Sequence, residues 1–196
     1  FVGNSVFAGS NLMYVELCGM TALPTECFYN CDSLCSVKLD DRIKIIPTNC
    51  FYNCRALVYV KLPRSCRTIE EYAFANCDQL RMIDGLDHVS LVQPNSLTNT
   101  NIKYMYFNGF NANTTNLTLN VNNNSKVETI KLDNYIDVRT NMSAVVESCS
   151  NLNQIVMDSA IKNIGPVIAM NTRKLYDVIF YGKLNPTTII RGSSYC

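Results

Sequence analysis

The 196-residue sequence predicts one solenoid of about eight stacked coils, 22–25 residues each, every coil laying a short strand into a parallel sheet. Three observations predict it. Phe28, Phe51 and Phe74 stand 23 residues apart each time, inside near-copies reading Cys-Phe-Tyr-Asn-Cys at 27–31 and 50–54 and Ala-Phe-Ala-Asn-Cys at 73–77. A signature L-x-x-V-x-L, apolar at offsets 0, +3 and +5, recurs eight times at intervals of 22, 23, 23, 22, 25, 25 and 23 residues. A second apolar column (Phe7, Phe28, Phe51, Phe74, Leu97, Val121, Val146, Ala169) runs just ahead of the signatures. A fixed period of this size marks stacked units, none of which buries its apolar face alone.

Taken in order, the signatures are Leu12-Val15-Leu17, Leu34-Val37-Leu39 and Leu57-Val60-Leu62, then Leu80-Ile83 with Leu86 one place late. Ile102-Met105-Phe107, Val127-Ile130-Leu132, Leu152-Ile155-Met157 and Leu175-Val178-Phe180 complete the set. Each run is rich in Val, Ile, Leu and Tyr and reads as a strand. The return path of roughly 18 residues makes neighbouring strands parallel. Leu23, Ile46, Ile69, Val92 and Ile164 form another inward column, and Met20, Ile43, Cys66, Val89, Val138 and Ile161 one more. Burying each side chain is worth roughly 1.5–3 kcal/mol, so stacking rather than local propensity holds the coils. The segment 27–34 is too short for a standard helix, and one helical or 3₁₀ turn is expected there and in its equivalents. Pro24, Pro47 and Pro63 fall in connections, where a missing donor costs least. Eleven Asn between Asn95 and Asn124 coincide with the two 25-residue intervals and read as longer, irregular loops. An alternating strand, Leu117-Leu119-Val121, is expected among them on the convex side.

Composition narrows the function. Apolar residues make up 47% of the chain, ample for a core, while 17% charged residues and a net charge of +1 leave no basic block for nucleic acid. No apolar run approaches the length of a membrane span. Phe1-Val2-Gly3-Asn4 has neither the basic start nor the apolar core of a secretory leader. The expectation is a single solenoid over 1–196 that is a piece of a longer protein.

The run from Ile46 to Leu62, I-P-x-x-C/A-F-x-x-C-x-x-L-x-x-V-x-L, resembles the BspA-type (treponemal-type) leucine-rich repeat. The match is specific in copies two to four and stays in register in the others. Ile69-Glu70-Glu71-Tyr72 departs from the Ile-Gly that the family favours in that turn. The resemblance implies an α/β-type right-handed leucine-rich-repeat coil with a parallel concave sheet, no catalysis, and use in surface-exposed proteins, often as adhesins.

Several residues invite a chemical reading. Cys27, Cys31, Cys35, Cys50 and Cys54 have spacings that suggest a metal site. Yet Cys31, Cys54, Cys77 and Cys149 share one repeat position, and Cys27 and Cys50 share another. Equivalent positions stack as ladders about 5 Å apart instead of converging on one ion, and ladder geometry also opposes disulfides. They read as small buried hydrophobes; the roles of Cys18, Cys149 and Cys196 stay open, and cysteine content does not fix the redox compartment. His88, the single histidine, follows Asp87 in a turn and reads as solvated, with no nucleophile system around it. Asp40-Asp41 and Glu70-Glu71 read as solubilising pairs. Asn113, Asn116, Asn123 and Asn141 begin N-x-S/T, which matters only in a eukaryotic secretory pathway. No metal, cofactor or catalytic residue is predicted.

The binding candidates come from the strands. With offsets 0, +3 and +5 inward, offsets +2 and +4 face outward on the concave side. Tyr14, Lys38, Tyr59, Lys61, Tyr104, Tyr106 and Lys131 are the candidate ligand contacts, on a face about 35 Å across if eight strands share one sheet. Tyr is favoured at binding hot spots, and equally it suits the pleated surface of any strand. A solenoid also needs polar caps. Phe1, Val2 and Phe7 at one end and Leu184, Ile189 and Ile190 at the other lead to the expectation that flanking domains or other subunits cover both ends. The leading function is a non-enzymatic recognition or adhesion module of a surface-exposed, extracellular protein, binding a protein or glycan. The alternative is a structural or receptor-binding domain of a virus or phage particle or another large assembly.

Overall fold

In chain order the strands are β1 (Tyr14–Glu16), β2 (Ser36–Lys38), β3 (Ile45–Ile46), β4 (Tyr59–Lys61), β5 (Thr68–Ile69), β6 (Met82–Asp84), β7 (Leu91–Val92) and β8 (Tyr104–Phe107). They continue as β9 (Asn116–Asn122), β10 (Thr129–Leu132), β11 (Asn141–Glu147), β12 (Gln154–Met157), β13 (Ile164–Met170), β14 (Asp177–Phe180) and β15 (Ile190–Gly192). The structure is a computed structural model and describes residues 3–107, 116–132, 141–157, 164–181 and 190–192. Val138, Ile161, Leu184 and Ile189 of the expected columns lie outside the described residues.

Every signature forms a strand and every pairing is parallel. The +3 column is in register as Val15–Val37–Val60–Ile83 and again as Met105–Ile130–Ile155–Val178. One apolar cluster runs from Leu17 to Met157. At its centre Phe7, Phe28, Phe51 and Phe74 stack with centroids 5.3, 5.2 and 5.1 Å apart and planes within 11°. Offset stacking of this kind adds to the area each ring buries.

Three features differ from expectation. The eight signature strands form two four-stranded sheets, β1-β2-β4-β6 and β8-β10-β12-β14, instead of one. The late Leu86 explains the break. Where other coils carry an apolar +5 residue, the fourth has Gly85 at φ 96°, followed by a 3₁₀ turn, Leu86–His88, that places Leu86 in the core. A Cβ on Gly85 would lie 2.8 Å from His88 Cε1 and 3.0 Å from the Leu62 carbonyl oxygen, so only glycine fits the turn that ends β6.

The convex side is itself a sheet, ordered β3-β5-β7-β9-β11-β13-β15. The strand expected at Leu117–Val121 is one of its seven. Ile46, Ile69, Val92, Leu119 and Ala144 line up as its inward row. In the first coils these strands are two residues long, whereas the coils with 25-residue spacing hold β9 and β11 at seven residues. Much of the Asn-rich stretch is therefore ordered strand and turn.

No helical turn forms at 27–34. That segment and its equivalents in the first five coils are successive turns, the later equivalents begin in β9, β11 and β13, and the only helical element among the described residues is Leu86–His88. The first five coils each carry two left-handed residues four apart: Ser5 and Gly9, Glu26 and Asn30, Asn49 and Asn53, Tyr72 and Asn76, Asn95 and Asn99; among the described residues the later coils keep one each, Asn123, Ser148 and Asn171. Left-handed backbone cannot continue a helix. The amides of Phe28 and Asn30 donate instead to the Cys50 and Tyr52 carbonyls of the next coil, both at 2.8 Å. Asn tolerates this conformation best after Gly, and its amides also link coils, as in Asn53 Nδ2 to Asn30 Oδ1 (2.8 Å) and Asn99 Nδ2 to Asn76 Oδ1 (2.9 Å).

Candidate binding face

Strand alternation turns the even offsets to solvent, and all seven candidate residues lie there. Tyr14, Tyr59, Tyr104 and Tyr106 are 55, 40, 68 and 40% exposed, and Lys38, Lys61 and Lys131 are exposed. They divide between the two sheets. Tyr14, Lys38, Tyr59 and Lys61 belong to the first, Tyr104, Tyr106 and Lys131 to the second. On the first sheet Tyr14, Ser36, Tyr59 and Met82 form one row, and Glu16, Lys38, Lys61 and Asp84 the next.

Carboxylates hold the tyrosines in place. Tyr14 donates to Glu16 Oε2 (3.1 Å), Tyr59 to Asp84 Oδ2 (3.1 Å) and Tyr104 to Glu128 Oε2 (3.4 Å). The Lys38 ammonium bonds Glu16 and, with the Tyr14 hydroxyl second, holds that carboxyl below its usual value. Lys103 does the same for Glu128 at 2.8 Å. Lys131 Nζ sits 5.5 Å from the centre of the Tyr106 ring, its cross-strand neighbour. These acidic partners were not singled out from the sequence. For Glu16 and Asp84 the signal is the repeat itself, since both stand at +4 of the same or the next coil beside a +2 tyrosine; Glu128, at +1 of its coil, follows no such rule.

The first sheet and the loops after β2 and β4 enclose a groove of about 780 Å³. Tyr14 and Tyr59 stand on either side of Ser36, and Lys38, Lys61, Arg64 and Asp41 also line the groove. Arg64 and Asp41 lie outside the strands and escape a reading of strand positions alone. A volume of this order suits a small ligand or one segment of a larger one.

The other candidates are structural. The nine described cysteines are free, and seven are buried. The thiol of Cys31 donates to the Phe7 carbonyl (3.0 Å), Cys54 to Phe28 (3.1 Å) and Cys77 to Phe51 (3.0 Å), each one coil back. Asn124 Nδ2 reaches the Leu97 carbonyl in the same way (3.1 Å). The column is thus more than apolar filling. Among the described residues no three His, Cys, Asp or Glu side chains gather as a metal site. His88 is not solvated: its ring is 19% exposed, with Nε2 at 2.9 Å from the Pro63 carbonyl and Nδ1 at 3.1 Å from Asp87 Oδ1. It fastens the turn at the sheet break to the coil before it. Asp40 takes the Arg42 guanidinium and the Gly19 amide, and the Arg42 contact holds its carboxyl far below the carboxylate range. It anchors a turn. Of the N-x-S/T sites, Asn123 is an exposed left-handed turn residue and Asn113 lies outside the described residues.

Comparison with known proteins accounts for this geometry. The sequence pattern of the BspA type leucine-rich repeat region fits in six copies, over residues 1–126 and 109–191. The chain belongs to the BspA-type leucine-rich repeat family. Six matched copies against eight signature strands makes the coil count an approximate agreement. The crystal structure of a leucine-rich repeat protein from Bacteroides ovatus superposes with a TM-score of 0.70 at 22% identity. That match covers 90% of this chain and 45% of the other, so this BspA-type solenoid spans less than half of its structural relative. No curated protein matches. Leucine-rich repeat families are protein-binding repeat modules and generally not enzymes. No helix among the described residues is long and apolar enough to cross a membrane.

Proposed function

We propose that this BspA-type solenoid is a recognition module of a surface-exposed, extracellular protein, gripping a protein or glycan through its concave strand face. One observation carries the reading. The exposed tyrosines of that face stand on strands, and three have their hydroxyls fixed by Glu16, Asp84 or Glu128. Aromatic side chains fixed before contact lose little rotamer freedom on binding, which is where flexible surfaces lose affinity. The function is non-enzymatic: the buried thiols, His88 and Asp40 all serve the fold.

The test uses two surface variants of the full chain against a panel of immobilised extracellular-matrix proteins and glycans. Tyr59, Tyr104 and Tyr106 together replaced by Ser should leave Tm within a few degrees, because all three are exposed, and abolish any binding the parent shows. Replacing Thr68 and Leu91 on the opposite sheet by Ser should leave binding intact. A tyrosine-free face that binds as well as the parent would move the site to the loops or the convex sheet.

A further inference from the structure

We propose that the groove between Tyr14 and Tyr59 seats an acidic sugar, one ring of a carboxylated or sulfated polysaccharide; this rests on the strand-face reading above and narrows it to a ligand class. The first argument is spacing. Tyr14, Ser36 and Tyr59 are register partners on β1, β2 and β4. Adjacent strands lie about 4.8 Å apart, so the two tyrosines are separated by roughly 9–10 Å with a small residue between them. A saturated ring in contact with an aromatic wall on each side needs roughly 3.5–4 Å per contact, which this slot provides. The slot stays open because each tyrosine is tied elsewhere, Tyr14 to Glu16 on its own strand and Tyr59 to Asp84 on the side away from Ser36. No other row of the face repeats the pattern, since Met82 and Tyr104 fall on either side of the sheet break.

The second argument is polarity. A purely apolar occupant would strand the Ser36 hydroxyl on the floor, whereas sugar hydroxyls bond it and the neighbouring carboxylates. Three cations line the groove against one carboxylate, Asp41. Lys38 is already paired with Glu16, but Lys61 and Arg64 are exposed and have no acidic side chain within ion-pair distance among the described residues. They stand where a carboxylate or sulfate on the seated ring would project. Arg in particular meets such anions with two parallel bonds.

Calorimetric titration of the full chain with a galacturonate octasaccharide, a heparin octasaccharide and neutral maltooctaose tests this. At least one anionic oligosaccharide should bind, more weakly as salt rises, and maltooctaose should not. Which one binds distinguishes a carboxylate from a sulfate. Ser36→Tyr fills the slot at an exposed strand position that tolerates it and should cut affinity at least tenfold, as should Lys61→Ala combined with Arg64→Ala. Thr68→Ala, on the opposite sheet, should bind like the parent. The inference is overturned if neither anionic oligosaccharide binds, if maltooctaose binds as well, or if a folded Ser36→Tyr chain binds unchanged. A protein or neutral glycan held through Tyr104 and Tyr106, with no anionic binding, would sink this inference alone. Binding insensitive to every strand-face substitution would sink the wider reading too.

Discussion

Cys54 shows how a single residue serves the stack. Its side chain is fully buried, and its thiol lies 3.1 Å from the Phe28 carbonyl of the preceding coil. Ser10, Cys31, Cys77, Thr100, Asn124 and Cys149 fill the equivalent place, and every one carries a donor. The column therefore selects small donors that reach a turn carbonyl, with apolar character secondary. A sequence shows the alternation of Cys, Ser, Thr and Asn but not the carbonyl they address, so hydrogen bonding stays hidden until the turns are placed. Replacing Cys54 by Ser keeps the donor and should cost under about 1 kcal/mol, while Cys54→Ala loses both volume and bond and should cost about 1–2 kcal/mol, read from urea midpoints. Reactivity follows burial. Desolvation pushes the Cys27 thiol up to about 12 and those of Cys66 and Cys149 up to about 11. The thiolate is the reacting species, so these should resist alkylation at neutral pH. Mass spectrometry after mild alkylation of the native chain should find Cys18 and Cys35 labelled and the seven buried cysteines labelled only after unfolding. Fast labelling of Cys54 or Cys77 would contradict the packing.

At the scale of elements, the concave strands were legible because each carries three inward residues at fixed offsets, and three columns held over eight copies leave little freedom. The break between β6 and β8 also left a trace, the displaced Leu86. What that displacement does was not legible, because it depends on backbone geometry: a left-handed Gly85, a 3₁₀ turn and a ring reaching Pro63. The convex sheet was largely invisible for a different reason. A two-residue strand such as β3 or β5 contributes one inward side chain per coil, which gives no alternation to read; of the seven-residue strands β9, β11 and β13, only the Leu117-Leu119-Val121 alternation of β9 is read as a strand from the sequence. The missing helical turns have a related cause, since Asn reads as loop composition until its left-handed φ is known. Gly85 isolates the role of the break. Gly85→Ala must bear both an unfavourable φ and contacts of 2.8 and 3.0 Å, and should lose about 1–3 kcal/mol by urea denaturation. Gly85→Asn should lose less if the φ dominates and as much if the contacts do. An alanine variant as stable as the parent would show that the turn relaxes freely.

Over the whole molecule, coils touch chiefly their neighbours. The pairings run from each strand to the next coil's equivalent, and the phenylalanine stack does the same. That is the arrangement in which stability becomes a sum of coil and interface contributions, and in which one surface can vary residue by residue without disturbing the core. It also explains why the binding face was legible as positions but not as a site. Offsets name which side chains face out, whereas the groove depends on which tyrosine is tied to which acid and on loops beyond the strands. The same linear arrangement makes a prediction about how damage spreads. Leu57 is fully buried in the third coil, so Leu57→Ala should cost about 2–5 kcal/mol. In a globular core that loss would be shared by every slowly exchanging amide. Here the amides of β2, β4 and β6 should lose protection first and most, and those of β10 and β12, beyond the sheet break, least. Hydrogen exchange followed by mass spectrometry on parent and variant resolves these segments. Equal loss of protection in β4 and β12 would show that the solenoid unfolds as one unit and that its coils are coupled far beyond their neighbours.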